Sequence, residues 1–175
     1  MKSSSLSLIS ERIEDSQNSV DAYISGFLDG DGSIFCSILE RSDYKAHYQI
    51  RFCISFHQKT SRLHFLMKIQ NDLKYGVLRN RNDGISELNI VGWQSVKNVL
   101  KRLVPFLRIK CKQAQLVLKI IDNLSSAKDS PKNFIQLCYW IDQISALNDS
   151  KPTIGRNKIT AKSVEEKYKL LGWID

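Results

Sequence analysis

Between Tyr48 and Phe56 the chain alternates without a break. Tyr48, Ile50, Phe52, Ile54 and Phe56 fall on one side, and Gln49, Arg51, Cys53 and Ser55 on the other. A period of two predicts a strand with one packed face. The more mixed run Ser33 to Leu39 is its candidate hairpin partner, joined through the polar segment Glu40 to Ala46. A helical stripe follows at Leu63, Leu66, Met67 and Leu73, with Thr60 or Ser61 placed to cap it and Gly76 to close it. Val77 to Arg81 and Ile85 to Val91 flank the turn-forming Asn82, Asp83 and Gly84 and predict a second hairpin. Upstream, Val20 to Leu28 reads as a short apolar helix ended by Asp29, Gly30, Asp31 and Gly32. Downstream the periods are helical: Gln94 to Leu103, stopped by Pro105; Lys112 to Leu124; and a helix opened by Ser130 and Pro131 that carries Phe134, Leu137, Cys138, Ile141 and Ile144. Asn148 to Lys158 reads as a basic loop, and one more short helix is expected after Thr160. Helix, hairpin, helix, hairpin, helices is an α+β order.

Composition narrows the function classes. The 175 residues are 42% hydrophobic and carry a net charge of +8. That is a globular chain with a polyanionic partner, nucleic acid or an anionic membrane surface. No apolar run approaches the roughly 18–20 residues of a membrane span. Cys36, Cys53, Cys111 and Cys138 form no CxxC pair, and His47, His57 and His64 have no zinc-finger spacing to them. They read as buried or half-buried thiols in a reducing compartment. The first eighteen residues are polar and Ser-rich, without the apolar core of a signal peptide, and are expected to fray. The chain therefore divides into a flexible extension (1–18), one domain (19–151) and a basic C-terminal loop and tail (152–175).

Four strands with one apolar face would leave Gln49, Arg51, Ser55, Arg79, Arg81, Glu87 and Asn89 on the other. Those side chains suit base edges: Arg for guanine, Gln and Asn for adenine, Glu for cytosine. An ordinary solvated sheet face is the plainer alternative. The mixture of Arg with amides and the basic charge of the whole chain favour nucleic acid.

The segment from Ile24 to Gly32 (ISGFLDGDG) holds the candidate chemistry. Gly26 and Gly30 lie four apart on one side of a helix, where small residues let two backbones approach. Glycine costs a helix roughly 1 kcal/mol relative to alanine, a cost that fits a face packed on another helix. The acidic residues then stand at the helix C-terminus, where the dipole disfavours an anion and a bound cation would relieve the conflict. A simple turn is one alternative. An EF-hand loop is another, with Asp29, Asp31, Ser33 and Glu40 as ligands, but Ile34 occupies the position that requires glycine and a strand follows where a helix should resume.

This segment resembles the motif that names the LAGLIDADG homing endonucleases. Ile24, Gly26, Phe27, Leu28, Asp29, Asp31 and Gly32 match it identically or conservatively, and Ser25 and Gly30 replace alanines with other small residues. The α-β-β-α-β-β-α order is also that family's core. The similarity extends through Gln58 to Thr60, Pro105 to Ala114 and Leu147 to Lys151. It points to the single-motif, homodimeric members of green-algal organelle introns.

The resemblance implies a site-specific, intron-encoded endonuclease that makes a staggered double-strand cut, leaving 3′ overhangs, in a long pseudo-palindromic DNA site. Mg²⁺ would be the cofactor, with Mn²⁺ also supporting activity. Asp31 would be the acidic metal ligand with the Gly30 carbonyl beside it, and Gln58, Arg62 and Lys110 would complete the catalytic group. Gly26 and Gly30 would form the dimer interface. The DNA-binding set would be Ser37, Arg41, Tyr44, Gln49, Arg51, Ser55, Arg79, Arg81, Glu87, Asn89 and Lys151. The partners implied are double-stranded DNA and a second copy of the chain, with no membrane and no small-molecule substrate. An organelle is the implied location, chloroplast before mitochondrion. An RNA-binding maturase and a catalytically inactive DNA-binding regulator on the same fold remain as alternatives.

Overall fold

The structure is a computed structural model and describes residues 3–148 and 158–175, with side chains described from residue 14 onward. Helix α1 (Ser3–Asp31) leads into strand β1 (Gly32–Glu40), which pairs with β2 (Tyr48–Lys59). A 3₁₀ turn, Thr60–Arg62, opens α2 (Leu63–Leu73). Strands β3 (Val77–Asn80) and β4 (Ile85–Val91) follow, then α3 (Trp93–Leu103), a 3₁₀ turn (Val104–Phe106), α4 (Cys111–Asp122), the one-turn α5 (Leu124–Ala127), α6 (Pro131–Leu147) and α7 (Ala161–Leu170). The sheet order is β1-β2-β4-β3, every pair antiparallel. The α+β architecture expected from the sequence is the one observed.

Period two does the sorting. Ile34, Cys36 and Ile38 of β1, Phe52, Ile54 and Phe56 of β2, and Leu88 and Ile90 of β4 are buried on one face. Against them pack Ile24 and Leu28 of α1, Leu66, Ile69 and Leu73 of α2, and Val96, Val99 and Leu100 of α3, all at 2% exposure or less. The helices thus form one layer over one face and leave the other face of the sheet uncovered.

Neither Thr60 nor Ser61 caps α2: both lie in the 3₁₀ turn before it, and no side chain caps its first residue. The chain departs from expectation at three further places. Helix α1 begins at Ser3, not Val20, so the segment expected to fray is helical. Its apolar residues before Val20 are only Leu6, Leu8, Ile9 and Ile13, of which Leu6, Ile9 and Ile13 keep helical spacing, and no glycine or proline interrupts the chain before Gly26. The helix also continues through Asp29 to Asp31. Finally, α2 closes on Lys74 in the left-handed conformation (φ 63°), not on Gly76. Gly76 has φ 102° and lies against Leu88 and Ile90, where a β-carbon would collide.

Two polar contacts lock α1 onto α3. Arg102 grips the buried Asp21 carboxylate through Nε at 3.1 Å and Nη2 at 2.6 Å. The Ser25 hydroxyl lies 2.7 Å from the Asp21 carbonyl and 3.1 Å from the Leu103 carbonyl. On the side of α2, Phe27 stacks on Phe56 at 5.9 Å and meets Phe65 edge-on at 4.9 Å. At the far end, Thr160 and Ser163 form a reciprocal capping box that starts α7. The expected Ser130 cap is present, accepting from the Asn133 N–H at 3.3 Å. Cys36, Cys53 and Cys138 are buried and Cys111 is half-buried, all as free thiols. Burial, with the neighbouring Asp142 charge, pushes the Cys138 thiol up to about 12, so it stays protonated and inert.

Candidate nucleic-acid interface and active site

The end of α1 presents two acids in opposite environments. Asp29 is buried, at 8% exposure. Its carboxylate accepts the backbone N–H groups of Arg108 (2.7 Å), Ile109 (3.1 Å) and Lys110 (2.9 Å). Burial acts to raise its pKa, but the hydrogen bonds from Arg108, Lys110 and Ile109 and the Lys110 charge outweigh it and hold the carboxyl below its ordinary range. The charge conflict anticipated at this helix terminus is therefore resolved for Asp29 by the start of α4, not by a cation. Asp31, the last residue of α1, is exposed. Lys110 also donates its ammonium to the Asp29 carbonyl. The last carbonyls of a helix have no intrahelical donor; Asp29's is taken by Lys110, and Gly30's comes next, beside Asp31.

One face of this helix is bare. Ser19, Tyr23, Gly26 and Gly30 share it and are exposed, Tyr23 at 64%. A β-carbon built on Gly26 or Gly30 would meet nothing within 4 Å, so nothing in this chain requires glycine there. Gly32 is the contrary case. A β-carbon there would lie 2.5 Å from Leu28 Cδ1 and 3.0 Å from the Leu28 backbone, so only glycine lets helix turn into strand at this point.

Gly32 pairs with Phe56, which brings Asp31 level with the end of β2 where His57 and Gln58 lie. Gln58 Oε1 accepts from the Lys59 N–H at 3.0 Å and faces Arg62 Nη1 at 3.5 Å. The 3₁₀ turn that carries Arg62 is pinned from the sheet. Ser86 Oγ lies 2.8 Å from Asn80 Oδ1, to which it donates, and 2.9 Å from the Thr60 hydroxyl. So Gln58 and Arg62 form one pair, Lys110 is tied to the motif helix, and Asp31 stands between the helix end and the sheet. Among the described residues no three His, Cys, Asp or Glu side chains gather into a metal-sized cluster. A hard divalent ion takes about six oxygen ligands. One chain offers Asp31 and the Gly30 carbonyl, which fits half of such a site.

The uncovered sheet face carries the residues expected of it. Cross-strand register aligns Ser37 with Arg51, Ser55 with Asn89, and Glu87 with both His57 and Arg79. Gln49 stands opposite Leu39 near the hairpin end, and Arg41 and Tyr44 lie in the β1–β2 connection. Arg81 lies just beyond β3, fixed by its N–H to the Ile85 carbonyl. Lys151 is outside the described residues. Ser55 is on the expected face yet only 4% exposed. Its hydroxyl donates to Asn89 Oδ1 at 2.5 Å with Cys53 Sγ 3.5 Å away, so neighbours close over it. His57 extends the alternation of Gln49, Arg51, Cys53 and Ser55 by one step, and that period was the signal that could have found it. Val77 (71% exposed) and Val91 (44%) also stand on this face, apolar groups of the kind that meet thymine methyls.

Comparison with known proteins decides the family. The sequence model of the LAGLIDADG endonucleases matches residues 24–118. DNA endonuclease I-CreI of Chlamydomonas reinhardtii is 45% identical over 129 residues, covering 74% of this chain and 78% of that protein. The chain belongs to the LAGLIDADG endonuclease family. DNA endonuclease I-CvuI of Chlorella vulgaris is 39% identical over 153 residues, 87% of this chain and 92% of that protein. The crystal structure of I-CvuI with its DNA target superposes with a TM-score of 0.83 at 36% identity, covering 91% of this chain and 98% of that one. The archaeal intron-encoded homing endonuclease I-Vdi141I shares the fold at 18% identity and a TM-score of 0.70, covering 86% of this chain and 96% of that one. Among the described residues no helix is long and apolar enough to cross a membrane.

Proposed function

We propose that this chain is a homodimeric, site-specific DNA endonuclease that hydrolyses one phosphodiester in each strand of a long pseudo-palindromic site. The observation that carries the reading is the bare Gly26–Gly30 face of α1 ending at exposed Asp31. One chain offers half of an oxygen-ligand site and a helix face open to a second copy. A two-fold axis along that face brings the two Asp31 carboxylates together and sets the two sheets side by side. Each sheet then lies in the major groove of one half-site.

Asp31 and the Gly30 carbonyl would hold a divalent ion, Mg²⁺ by preference with Mn²⁺ as a substitute. Such an ion supplies an activated water and offsets charge on the leaving oxygen. Gln58, held by Lys59 and Arg62, would orient that water. Arg62 and Lys110 would bind the scissile phosphate, Lys110 from an ammonium already braced on Asp29. The cut is staggered and leaves 3′ overhangs. I-CvuI has been crystallised with a DNA target in the presence of magnesium and with its target in the presence of calcium, which supports divalent-ion use here. Both curated relatives come from green algae, which supports an organelle; within it we favour the chloroplast and an intron-encoded origin.

The test is cleavage of a randomised duplex library by the purified protein in Mg²⁺. A defined, two-fold symmetric site should be cut, and chelation should abolish cutting. Asp31→Asn should bind that site and leave it intact. An Asp31→Asn protein that cuts at the parent rate would overturn the assignment.

A further inference from the structure

Glu87 lies at the middle of a row that crosses the sheet from β2 to β3. Its register partners are His57 and Arg79. Oε2 is 3.7 Å from His57 Nε2, and Oε1 is 3.8 Å from Arg79 Nη1. The Glu87 side chain is 14% exposed and that of Arg79 is 74% exposed. The carboxylate is thus sunk between its neighbours while the guanidinium stands clear of them. A carboxylate that reads cytosine must present its oxygens to the groove. This one points along the row instead.

We infer that Glu87 is a positioning residue for specificity: it touches no base, and its charge holds Arg79 in the orientation that reads one base pair of each half-site. His57 flanks it from the other side. The inference rests on the reading of this face as the DNA-reading surface. An unrestrained arginine samples many rotamers, and fixing them on binding costs entropy. A lateral carboxylate removes part of that disorder before DNA arrives. An ion pair with an exposed guanidinium is itself weak, so it orients the guanidinium without competing against a base. The same device recurs in the two hairpin connections that border this face. Arg41 is held by Asp43 at 2.8–2.9 Å and Arg81 by Asp83 at 2.5 Å.

The experiment is a double-mutant cycle read as base preference. The wild-type protein first selects its site from a randomised duplex library; every single-base variant of that site is then cut by wild type, Arg79→Ala, Glu87→Gln and the double variant. Arg79→Ala should reduce discrimination at one mirrored base pair by roughly 5- to 100-fold. Glu87→Gln, nearly isosteric, should relax the same base pair by a smaller factor. The double variant should match Arg79→Ala alone, because Glu87 acts only through Arg79. A Glu87→Gln effect on a different base pair, one that multiplies in full onto that of Arg79→Ala, or no change in preference would overturn the inference. A wild-type protein that selects no cleaved site would instead overturn the reading beneath it. Thermal melts of each variant separate altered preference from altered folding.

Discussion

Lys110 grips Asp29 at both ends: its backbone N–H donates to Oδ1 at 2.9 Å, and its ammonium donates to the Asp29 carbonyl. The last turn of the motif helix is thereby clamped to the N-cap of α4, two residues before Asp31. The clamp needs an ionised Asp29, and the pKa of that group is depressed in the fold. A depressed carboxyl stabilises the fold above its unfolded value of 3.8. The contribution is complete from about pH 5 upward and disappears as pH falls through the lower folded value. Asp29→Asn should therefore cost about 1–3 kcal/mol at neutral pH and flatten the acid limb of a stability–pH curve. Chemical denaturation at pH 7 and across the acid range checks both. Equal losses for parent and variant on acidification would show that Asp29 carries no linked stability.

Gly26→Leu should separate folding from assembly. The position is open in the monomer, and leucine favours a helix over glycine by about 1 kcal/mol. The variant should keep its circular dichroism and lose its dimer, because a bulky side chain then stands where two helices must touch. Sedimentation velocity reads the outcome, and a variant as dimeric as the parent would place the interface elsewhere.

Tyr168 should fix the β1–β2 connection from behind. It is fully buried, its hydroxyl donates to the Ala46 carbonyl at 2.7 Å, and the Trp173 ring lies tilted against it at 5.0 Å and against His47 at 5.3 Å. Lys167 of the same helix pairs with Glu40. Both ends of the loop that carries Arg41 and Tyr44 are thus tied to α7. Tyr168→Phe leaves the Ala46 carbonyl without its donor, at about 1–3 kcal/mol. Amide exchange should rise across residues 41–47, and Tm should fall by a few degrees. Unchanged exchange there would mean that α7 does not hold the loop.

Much of this was legible in the chain because period two and the Gly-Asp-Gly run are local signals. The alternation from Tyr48 to Phe56 placed Gln49 and Arg51 on the open face. Resemblance at the motif singled out Asp31, the acid left exposed. What stayed hidden depends on contacts distant in sequence. That Asp29 is held by Arg108 to Lys110 cannot be seen from either segment. Nor can the closure of Asn89 over Ser55, since the two are 34 residues apart. The long α1 was missed because its Ser-rich start dilutes a thin stripe (Leu6, Ile9, Ile13) that reads as helical only when joined to Val20 and Ile24, and Lys74 took the helix-closing role that glycine usually fills.

Gly32→Ala should damage catalysis more than stability. The new methyl would lie 2.5 Å from Leu28 Cδ1 and 3.0 Å from the Leu28 Cα and carbonyl oxygen. The δ-methyl can move aside; the backbone cannot. Relief must come from shifting the junction between α1 and β1, and the residue at that junction is Asp31. The core around Leu28 is closely packed, so overpacking there costs typically 1–3 kcal/mol, survivable for a domain of this size. Catalytic groups tolerate far less, since a displacement near 1 Å can cost about 100-fold in rate. The expected result is a folded protein that binds its site with near-parental affinity and cuts it about 100-fold more slowly or worse. Gly26→Ala is the control: at an open position the same added methyl should leave the monomer fold unstrained. A Gly32→Ala protein that cuts at the parental rate would show that the junction does not hold Asp31 in place.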